Sequence, residues 1–333
     1  MKIFLYCFRD FDEKEFFDDE MQKHDFTYSY TSAYPSLENA HLAEGYDAVS
    51  VTPTRLDEAL LEKFHSLGVR YVLTRSIGYD HIDLATAKRL GMGVSCVSYP
   101  PETVASYAFT LMMMCLRMIK PTLERAAVQD YSLNGKIGRD LSECSVGIIG
   151  TGRIGGELAR NLQSFGTKVY AYDTVQNPDV QALCQYLPLD RLTEECDVIS
   201  LHMPVTDKTF HMVDGGFISR MKKGSYIINT ARGALIDTDA LIAALESGHL
   251  AGAALDVLED ESGLYYYNRT GDCISNRQMA VLRSFPNVIL TPHTAFYTRK
   301  VVRSMAHHTV NRLFDMREGR GDPHIISYPQ DMI

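Results

Sequence analysis

Paired cysteines, membrane-length apolar runs, low-complexity tracts and an excess of positive charge are all missing from this sequence of 333 residues. Its seven cysteines (Cys7, Cys96, Cys115, Cys144, Cys184, Cys196 and Cys273) are scattered, odd in number and form no CxxC. Such spacing supports neither a disulfide framework nor a metal site, and it reads as reduced thiols in a cytoplasm. No apolar run approaches the ~20 residues of a membrane span. The opening MKIFLYCFRD is apolar for too few residues to act as a signal peptide and reads as a first strand. A net charge of −9 disfavours a general role on nucleic acid or a membrane surface. What remains is the composition of a globular chain, long enough for about two domains.

The most informative stretch is Ser145 to Asp173, SVGIIGTGRIGGELARNLQSFGTKVYAYD. A β-branched run (Val146, Ile148, Ile149) enters Gly150-Thr151-Gly152-Arg153-Ile154-Gly155. Leu158, Leu162 and Phe165 then recur at helical spacing, and Lys168 to Tyr172 is β-rich again. The pattern predicts strand, glycine turn, helix, strand. Gly150 permits the tight turn, Gly152 lets the backbone approach a pyrophosphate, and Gly155 lets helix and strand pack closely. The pyrophosphate would sit on N–H groups at the positive end of the helix. A GxGxxG by itself is weak evidence, but here Asp173 follows Gly150 by 23 residues, placed to accept the ribose hydroxyls of an adenosine. Its charge repels a 2′-phosphate, and Thr174, Val175 and Gln176 put no cation beside it, so the cofactor expected is NAD rather than NADP. The alternative is that Asp173 merely caps a strand.

Short apolar runs at residues 2–7, 47–51, 69–73 and 94–97 alternate with amphipathic stretches such as Leu56 to Leu67 and predict a first small parallel α/β unit. The acidic DFDEKEFFDDE reads as a solvated helix face. Ser98-Tyr99-Pro100-Pro101-Glu102-Thr103 breaks the pattern and reads as a hinge. Thr103 to Val128 reads as one long helix, with the nearly all-apolar Leu111 to Leu116 in a core or a dimer contact. From Ser145 to Leu290 the alternation repeats, with strands at 198–201, 226–229, 252–256 and 288–290. Residues 298–318 are helical again and return to the first unit. The fold class expected is α/β, with two doubly wound parallel sheets. A Rossmann nucleotide domain (99–298) is inserted into a flavodoxin-like substrate domain made of 1–98 and 299–333.

Three loops at strand carboxyl ends carry chemistry. Arg232 follows Ile227-Ile228-Asn229-Thr230-Ala231, while Asp256, Glu259 and Glu261 follow Gly252 to Leu255, and His293 follows Val288 to Pro292. In a doubly wound sheet all three open on the face where the dinucleotide lies. An arginine can hold a planar carboxylate through a bidentate fork. A histidine donates a proton near neutral pH, and a glutamate beside it favours its charged form. The trio suits reduction of a 2-oxo acid: Arg232 grips the carboxylate and polarises the carbonyl, hydride passes from NADH to the carbonyl carbon, His293 protonates the oxygen, and Glu261 orients the imidazole. Singly, each residue is more readily a surface ion pair, a loop charge or a strand-end cap; together beside the glycine turn they favour a site. His307-His308 and Tyr265-Tyr266-Tyr267 read as helix surface and loop packing.

From about Val69 to Tyr297 the chain resembles the D-specific 2-hydroxyacid dehydrogenases, and among them the D-lactate dehydrogenases, including the vancomycin-resistance type. The motifs are RSIGYDHIDL (75–84), GIIGTGRIGG (147–156), LHMP (201–204), INTARGALID (228–237), AALDVLEDE (253–261) and NVILTPHTAFYT (287–298). The resemblance implies Arg232 as substrate anchor, Glu261 as partner of the histidine and His293 as proton donor. It also implies that backbone N–H groups of Ile77 and Gly78 bind the substrate carboxylate, and that Tyr99 and Phe296 close the pocket. Arg153, Ile154, Asp173, Met203, Pro204, Thr209, Thr230, Ala231 and Asp256 match cofactor-contact positions, with Asp256 at the nicotinamide carboxamide. The family forms dimers through its nucleotide domains. Two positions depart from relatives: Ser106 stands where Glu or Gln is common, and Asp173 where the vancomycin-type enzymes have serine.

The function expected is NADH-dependent reduction of pyruvate to D-lactate, with phenylpyruvate or 2-oxoisocaproate as the larger alternatives. A hydroxypyruvate or glyoxylate reductase shares the motifs. A phosphoglycerate enzyme would need cations beyond Arg75, and an NAD-sensing scaffold would not need the Arg-Glu-His set.

Overall fold

The computed structural model describes residues 1–261 and 263–329. It divides into two compact units, one of Met1–Pro100 with Tyr297–Ile333 and one of Pro101–Phe296. Among the described residues no helix is long and apolar enough to cross a membrane.

The first unit is built on β1 (Lys2–Leu5), β2 (Thr27–Tyr30), β3 (Ala48–Val51), β4 (Tyr71–Thr74) and β5 (Gly93–Cys96). These pair in parallel in the order β5-β4-β3-β1-β2. β3, β4 and β5 are buried at every residue, as expected of parallel strands covered on both faces. Alternation divides their side chains between two cores. Phe4, Val49, Val51 and Val72 enter one, while Ile3, Leu5, Tyr71 and Leu73 enter the other. Helix Arg299–Arg317 closes the second core with Val302, Ala306, Val310 and Leu313, a stripe at helical spacing. One strand departs from the all-parallel expectation: Ile325–Ser327 pairs antiparallel with β5 at the sheet edge. Three residues carry too little periodicity to be read as a strand.

The acidic N-terminal segment also departs from expectation. Helix Lys14–Met21 forms, but Glu13 and Glu20 are buried rather than solvated. Glu13 meets Arg75, which is 1% exposed. The guanidinium donates to Glu13 Oε1 at 2.9 Å, Ser50 Oγ at 3.0 Å and the carbonyls of Tyr6 and Cys7 at 2.7 and 3.2 Å. Arg75 is therefore a structural cation of the first unit and not a spare one for a phosphorylated substrate. Because deleting one member of a buried pair leaves the other charge uncompensated, Glu13→Gln is expected to destabilise this unit by about 3 kcal/mol. A lowered urea midpoint for its unfolding is the expected result, and an unchanged midpoint would refute it.

The second unit opens with helix Pro101–Leu116. The single helix expected to run to Val128 is broken: a second helix, Ile119–Ala127, starts after Met118, whose φ is 50°. Pro121 explains the break, since its ring would clash with the carbonyl four residues back in a continuous helix but fits a first turn. The Leu116 carbonyl is capped by Arg139 N at 2.8 Å. A Cβ on Gly138 would lie 2.6 Å from that same oxygen. Leu111, Met112, Cys115 and Leu116 pack on Leu158, Ala159 and Leu162 of helix Arg153–Gln163, so this apolar face belongs to the unit's own core.

The second sheet contains β6 (Ser145–Ile149), β7 (Lys168–Tyr172), β8 (Gln185–Tyr186), β9 (Val198–Leu201), β10 (Ser225–Asn229), β11 (Leu250–Leu255) and β12 (Val288–Leu290). All pair in parallel in the order β12-β11-β10-β9-β6-β7-β8. The winding reverses between β6 and β9, and that switch point is where open α/β sheets bind ligands. The two-residue β8 is too short for its sequence to show a strand period.

Candidate active site

At the switch point Gly150 has φ 95°. A Cβ there would lie 2.5 Å from the His202 carbonyl oxygen, so the turn after β6 and the end of β9 touch backbone to backbone. A Cβ on Gly155 would lie 2.0 Å from the Gly150 oxygen, whereas one on Gly152 would meet nothing within 4 Å. Two glycines are thus required by packing, and the middle one leaves open the space a phosphate needs. Gly152 caps helix Arg153–Gln163, and Gly156 N–H, bonded to Gly152 O at 2.9 Å, makes the first helical bond. The amides of Arg153 and Ile154 stand at the positive end of that helix.

Asp173 directly follows β7, and its Oδ2 accepts from Thr151 N at 2.6 Å and Thr151 Oγ1 at 3.0 Å. Oδ1 accepts from Val175 N at 3.2 Å. Burial opposes ionisation of this carboxyl, but the hydrogen bonds outweigh it and hold the group below the usual carboxylate range. Met203, Pro204 and Thr209 lie in the loop after β9, which Thr209 Oγ1 staples by donating to Pro204 O at 2.8 Å and accepting from Thr206 N at 2.7 Å. Thr230 and Ala231 follow β10. Among the described residues, the buried Thr230 Oγ1 has no hydrogen-bond partner. A buried hydroxyl calls for one. β7, β6, β9 and β10 are neighbours, so Asp173, the glycine turn, Met203 and Thr230 stand in a row roughly 4.8 Å per strand apart, about 15 Å in all. The open Gly152, the helix N-terminus, the anchored acid and the orphaned hydroxyl fit an extended dinucleotide laid across the strand ends.

Arg232, Glu261 and His293 follow β10 and the two strands beyond it in the same row. Asn229 of β10, Leu255 of β11 and Leu290 of β12 are in register, so the loops that follow start level with one another. Asn229, missed from the sequence, shapes the first loop: its Oδ1 accepts from Ala231 N at 3.0 Å and its Nδ2 donates to Arg232 O at 2.8 Å. The Arg232 Nη1 donates to Ala231 O at 2.8 Å. A Cβ on Gly233 would lie 2.0 Å from the Leu258 carbonyl carbon, which presses the arginine loop onto the loop bearing Glu261.

Glu261 Oε1 lies 2.5 Å from His293 Nδ1, and its Oε2 accepts from Leu258 N at 2.9 Å. A carboxylate can only accept, so Nδ1 carries the hydrogen of this bond and Nε2 is the nitrogen left to exchange a proton. His293 has φ 53°, a costly conformation for histidine that is held by its surroundings. Its N–H donates to Asp256 O at 2.7 Å. The fully buried Asp256 carboxylate accepts from Thr291 Oγ1 at 2.5 Å, Thr294 N at 2.9 Å and Ala295 N at 2.8 Å. Burial pushes its pKa up despite these bonds. In this geometry Asp256 anchors the histidine loop.

Tyr266, expected only to pack a loop, donates from its hydroxyl to His293 O at 3.0 Å, with its ring centroid 6.3 Å from the imidazole and 6.5 Å from Phe296. Glu259 belongs elsewhere, bound to His211 Nε2 at 2.5 Å and Thr238 Oγ1 at 2.6 Å. Ile77 and Gly78 lie in the first unit after β4, where Ser76 Oγ donates to Gly78 O at 2.6 Å. Tyr99 lies in that unit after β5, whereas Phe296 ends the second. Ser106 Oγ donates to Thr103 O at 3.0 Å within its own helix. Among the described residues no cluster could hold a metal ion.

A doubly wound sheet with a dinucleotide turn at its switch point and a glutamate-bound histidine four strands beyond defines a nicotinamide-dependent oxidoreductase. Residues 109–295 match the model of the D-isomer specific 2-hydroxyacid dehydrogenase, NAD binding domain. The chain belongs to that family and is an NAD-dependent enzyme that reduces 2-oxo acids. It is 39% identical over 318 residues to an aromatic 2-oxoacid reductase of Clostridium sporogenes, covering 94% of this chain and 95% of the relative. To a D-lactate dehydrogenase of Lactiplantibacillus plantarum it is 37% identical over 315 residues, covering 93% and 95%. The NAD-complexed D-isomer specific 2-hydroxyacid dehydrogenase from Lactobacillus delbrueckii ssp. bulgaricus superposes with a TM-score of 0.83 at 31% identity, over 98% of this chain and 100% of that one.

Proposed function

We propose that the enzyme reduces pyruvate to D-lactate, with Arg232 as carboxylate anchor, His293 as proton donor and Glu261 as its orienting partner. The observation that carries this reading is the 2.5 Å bond between Glu261 and His293, on loops that start in register with the one bearing Arg232. Bound NADH supplies the two electrons and one hydrogen of the reduction. Arg232 holds the substrate carboxylate through its planar fork and draws electron density from the adjacent carbonyl. His293 Nε2 passes a proton to the carbonyl oxygen as it gains charge, and the Glu261 carboxylate stabilises the imidazolium from which that proton leaves. Asp256, buried under the loop, keeps the imidazole in place. Gly150, Gly152 and Gly155, with Arg153, Ile154, Asp173, Met203, Pro204, Thr209, Thr230, Ala231 and Asp256, complete the cofactor side of the proposal. The resemblance adds the amides of Ile77 and Gly78, with Tyr99 and Phe296 enclosing the substrate side chain.

The bulky rings that the resemblance implies around the substrate, Tyr99 and Phe296, favour a methyl-sized side chain. The same rings could stack on an aromatic one, and a relative named an aromatic 2-oxoacid reductase keeps phenylpyruvate as the second reading. One methylene changes discrimination by only ~1–3 kcal/mol, so the choice is made by assay. NADH oxidation measured with pyruvate, phenylpyruvate and 2-oxoisocaproate is expected to give the highest kcat/KM for pyruvate, with D-lactate as product on chiral chromatography. A higher value for phenylpyruvate would move the assignment to aromatic acids, and L-lactate would overturn the stereochemistry.

A cytoplasmic homodimer is part of this proposal. The apolar helix face at Leu111 and Met112 is used internally, so the support comes instead from the exposed Leu123, Val128, Leu133 and Ile137 on the segment after it. All seven cysteines are free thiols, in keeping with a reducing compartment.

A further inference from the structure

Asp173 is held by more than the turn it faces. Thr151 Oγ1, which donates to Asp173 Oδ2, itself accepts from the Tyr186 hydroxyl at 2.7 Å. The Tyr186 oxygen in turn accepts from Asn177 N at 3.0 Å. Asn177 also reaches back with its Nδ2 to Thr151 O at 3.1 Å. The direction of this chain is fixed at both ends, because a backbone amide only donates and a carboxylate only accepts. Protons therefore point from Asn177 through Tyr186 and Thr151 toward Asp173, and each bond polarises the next. Thr151 is 1% exposed, so water does not replace these partners easily. Tyr186 is delivered by the two-residue edge strand β8, in register with Ala171 of β7, two residues before the acid.

We propose that Tyr186, acting through Thr151, is a positioning residue that sets the preference for NADH over NADPH. The inference rests on reading Asp173 as the ribose contact. A negative charge excludes a 2′-phosphate only if it cannot swing aside, and the relay removes that freedom by fixing Oδ2 in the turn. Oδ1 is then held toward the side where Val175 N also binds. With the relay cut, Thr151 keeps one hydroxyl hydrogen and no longer needs to aim it at Asp173; Oδ2 then keeps only the Thr151 N bond at 2.6 Å, about which the carboxylate can turn to admit the phosphate.

The test compares kcat/KM for NADH and NADPH in Tyr186→Phe, Thr151→Val, Thr151→Ser and Asp173→Asn, with folding followed by circular dichroism. Tyr186→Phe keeps the ring, and Thr151→Val keeps the shape of the side chain. Both are expected to lower the NADH:NADPH ratio about tenfold, the effect of one charge-assisted hydrogen bond, through KM rather than kcat. Thr151→Ser retains the hydroxyl and is expected to restore the ratio to within about twofold of the parent. Asp173→Asn is expected to lower the ratio further than either. An unchanged ratio in Tyr186→Phe and Thr151→Val beside a collapsed one in Asp173→Asn would overturn the relay and leave the ribose contact standing. An unchanged ratio in Asp173→Asn would overturn the contact itself and the relay with it. If Thr151→Ser falls as far as Thr151→Val, packing rather than hydrogen bonding is responsible and the proposal fails.

Discussion

Replacing His293 with asparagine is expected to lower kcat for 2-oxo acid reduction about 10³-fold, in the middle of the range for a lost general acid. Asparagine is the informative substitution because residue 293 has φ 53°, a left-handed conformation that asparagine tolerates and alanine does not. The backbone bond to Asp256 O and the one received from Tyr266 can then persist, so the loss reports proton transfer rather than a collapsed loop. NADH binding, followed by fluorescence titration, is expected to stay within about twofold, since His293 lies four strands from the glycine turn at roughly 4.8 Å each. A variant retaining more than about a tenth of the parent kcat would exclude His293 as the proton donor.

The parts of the site that could be read in advance are those specified within a few residues. The glycine turn is local: Gly150 needs its left-handed φ and Gly155 its bare Cα within one strand-turn-helix unit, so the spacing carries the geometry. The placement of Arg232, Glu261 and His293 at adjacent strand ends was legible because each follows a short β-rich run, and parallel register then makes those ends neighbours. What escaped depends on partners far away in the chain. Glu13 looks like one more charge in an acidic stretch until Arg75, 62 residues later, buries it. Gly233 reads as an ordinary turn residue, yet its missing side chain admits Leu258. Tyr266 is one of three successive tyrosines, and nothing in their order says which reaches His293. The break at Met118 is signalled by Pro121 alone, against an apolar run before it that suggests a continuous helix. β8 and the strand Ile325–Ser327 are too short for any periodicity to show.

The second large effect is expected from a substitution that conserves charge. Arg232→Lys should lower kcat/KM for the 2-oxo acid about 10²-fold, equivalent to ~3 kcal/mol, while leaving NADH affinity near that of the parent. The guanidinium spends Nη1 on Ala231 O at 2.8 Å. That bond helps to fix the plane of the group, and a planar fork matches both oxygens of a carboxylate. An ammonium has three donors on a flexible stem and cannot keep the Ala231 bond while presenting two parallel hydrogens. The carboxylate would be held by charge alone, free to rotate, and the carbonyl would lose its fixed angle to His293. Losses in both KM and kcat are therefore expected. A rise in KM with kcat intact would mean that Arg232 only attracts the substrate and does not orient it. Near-parental kcat/KM would remove Arg232 from the site and leave the carboxylate to be bound by other groups.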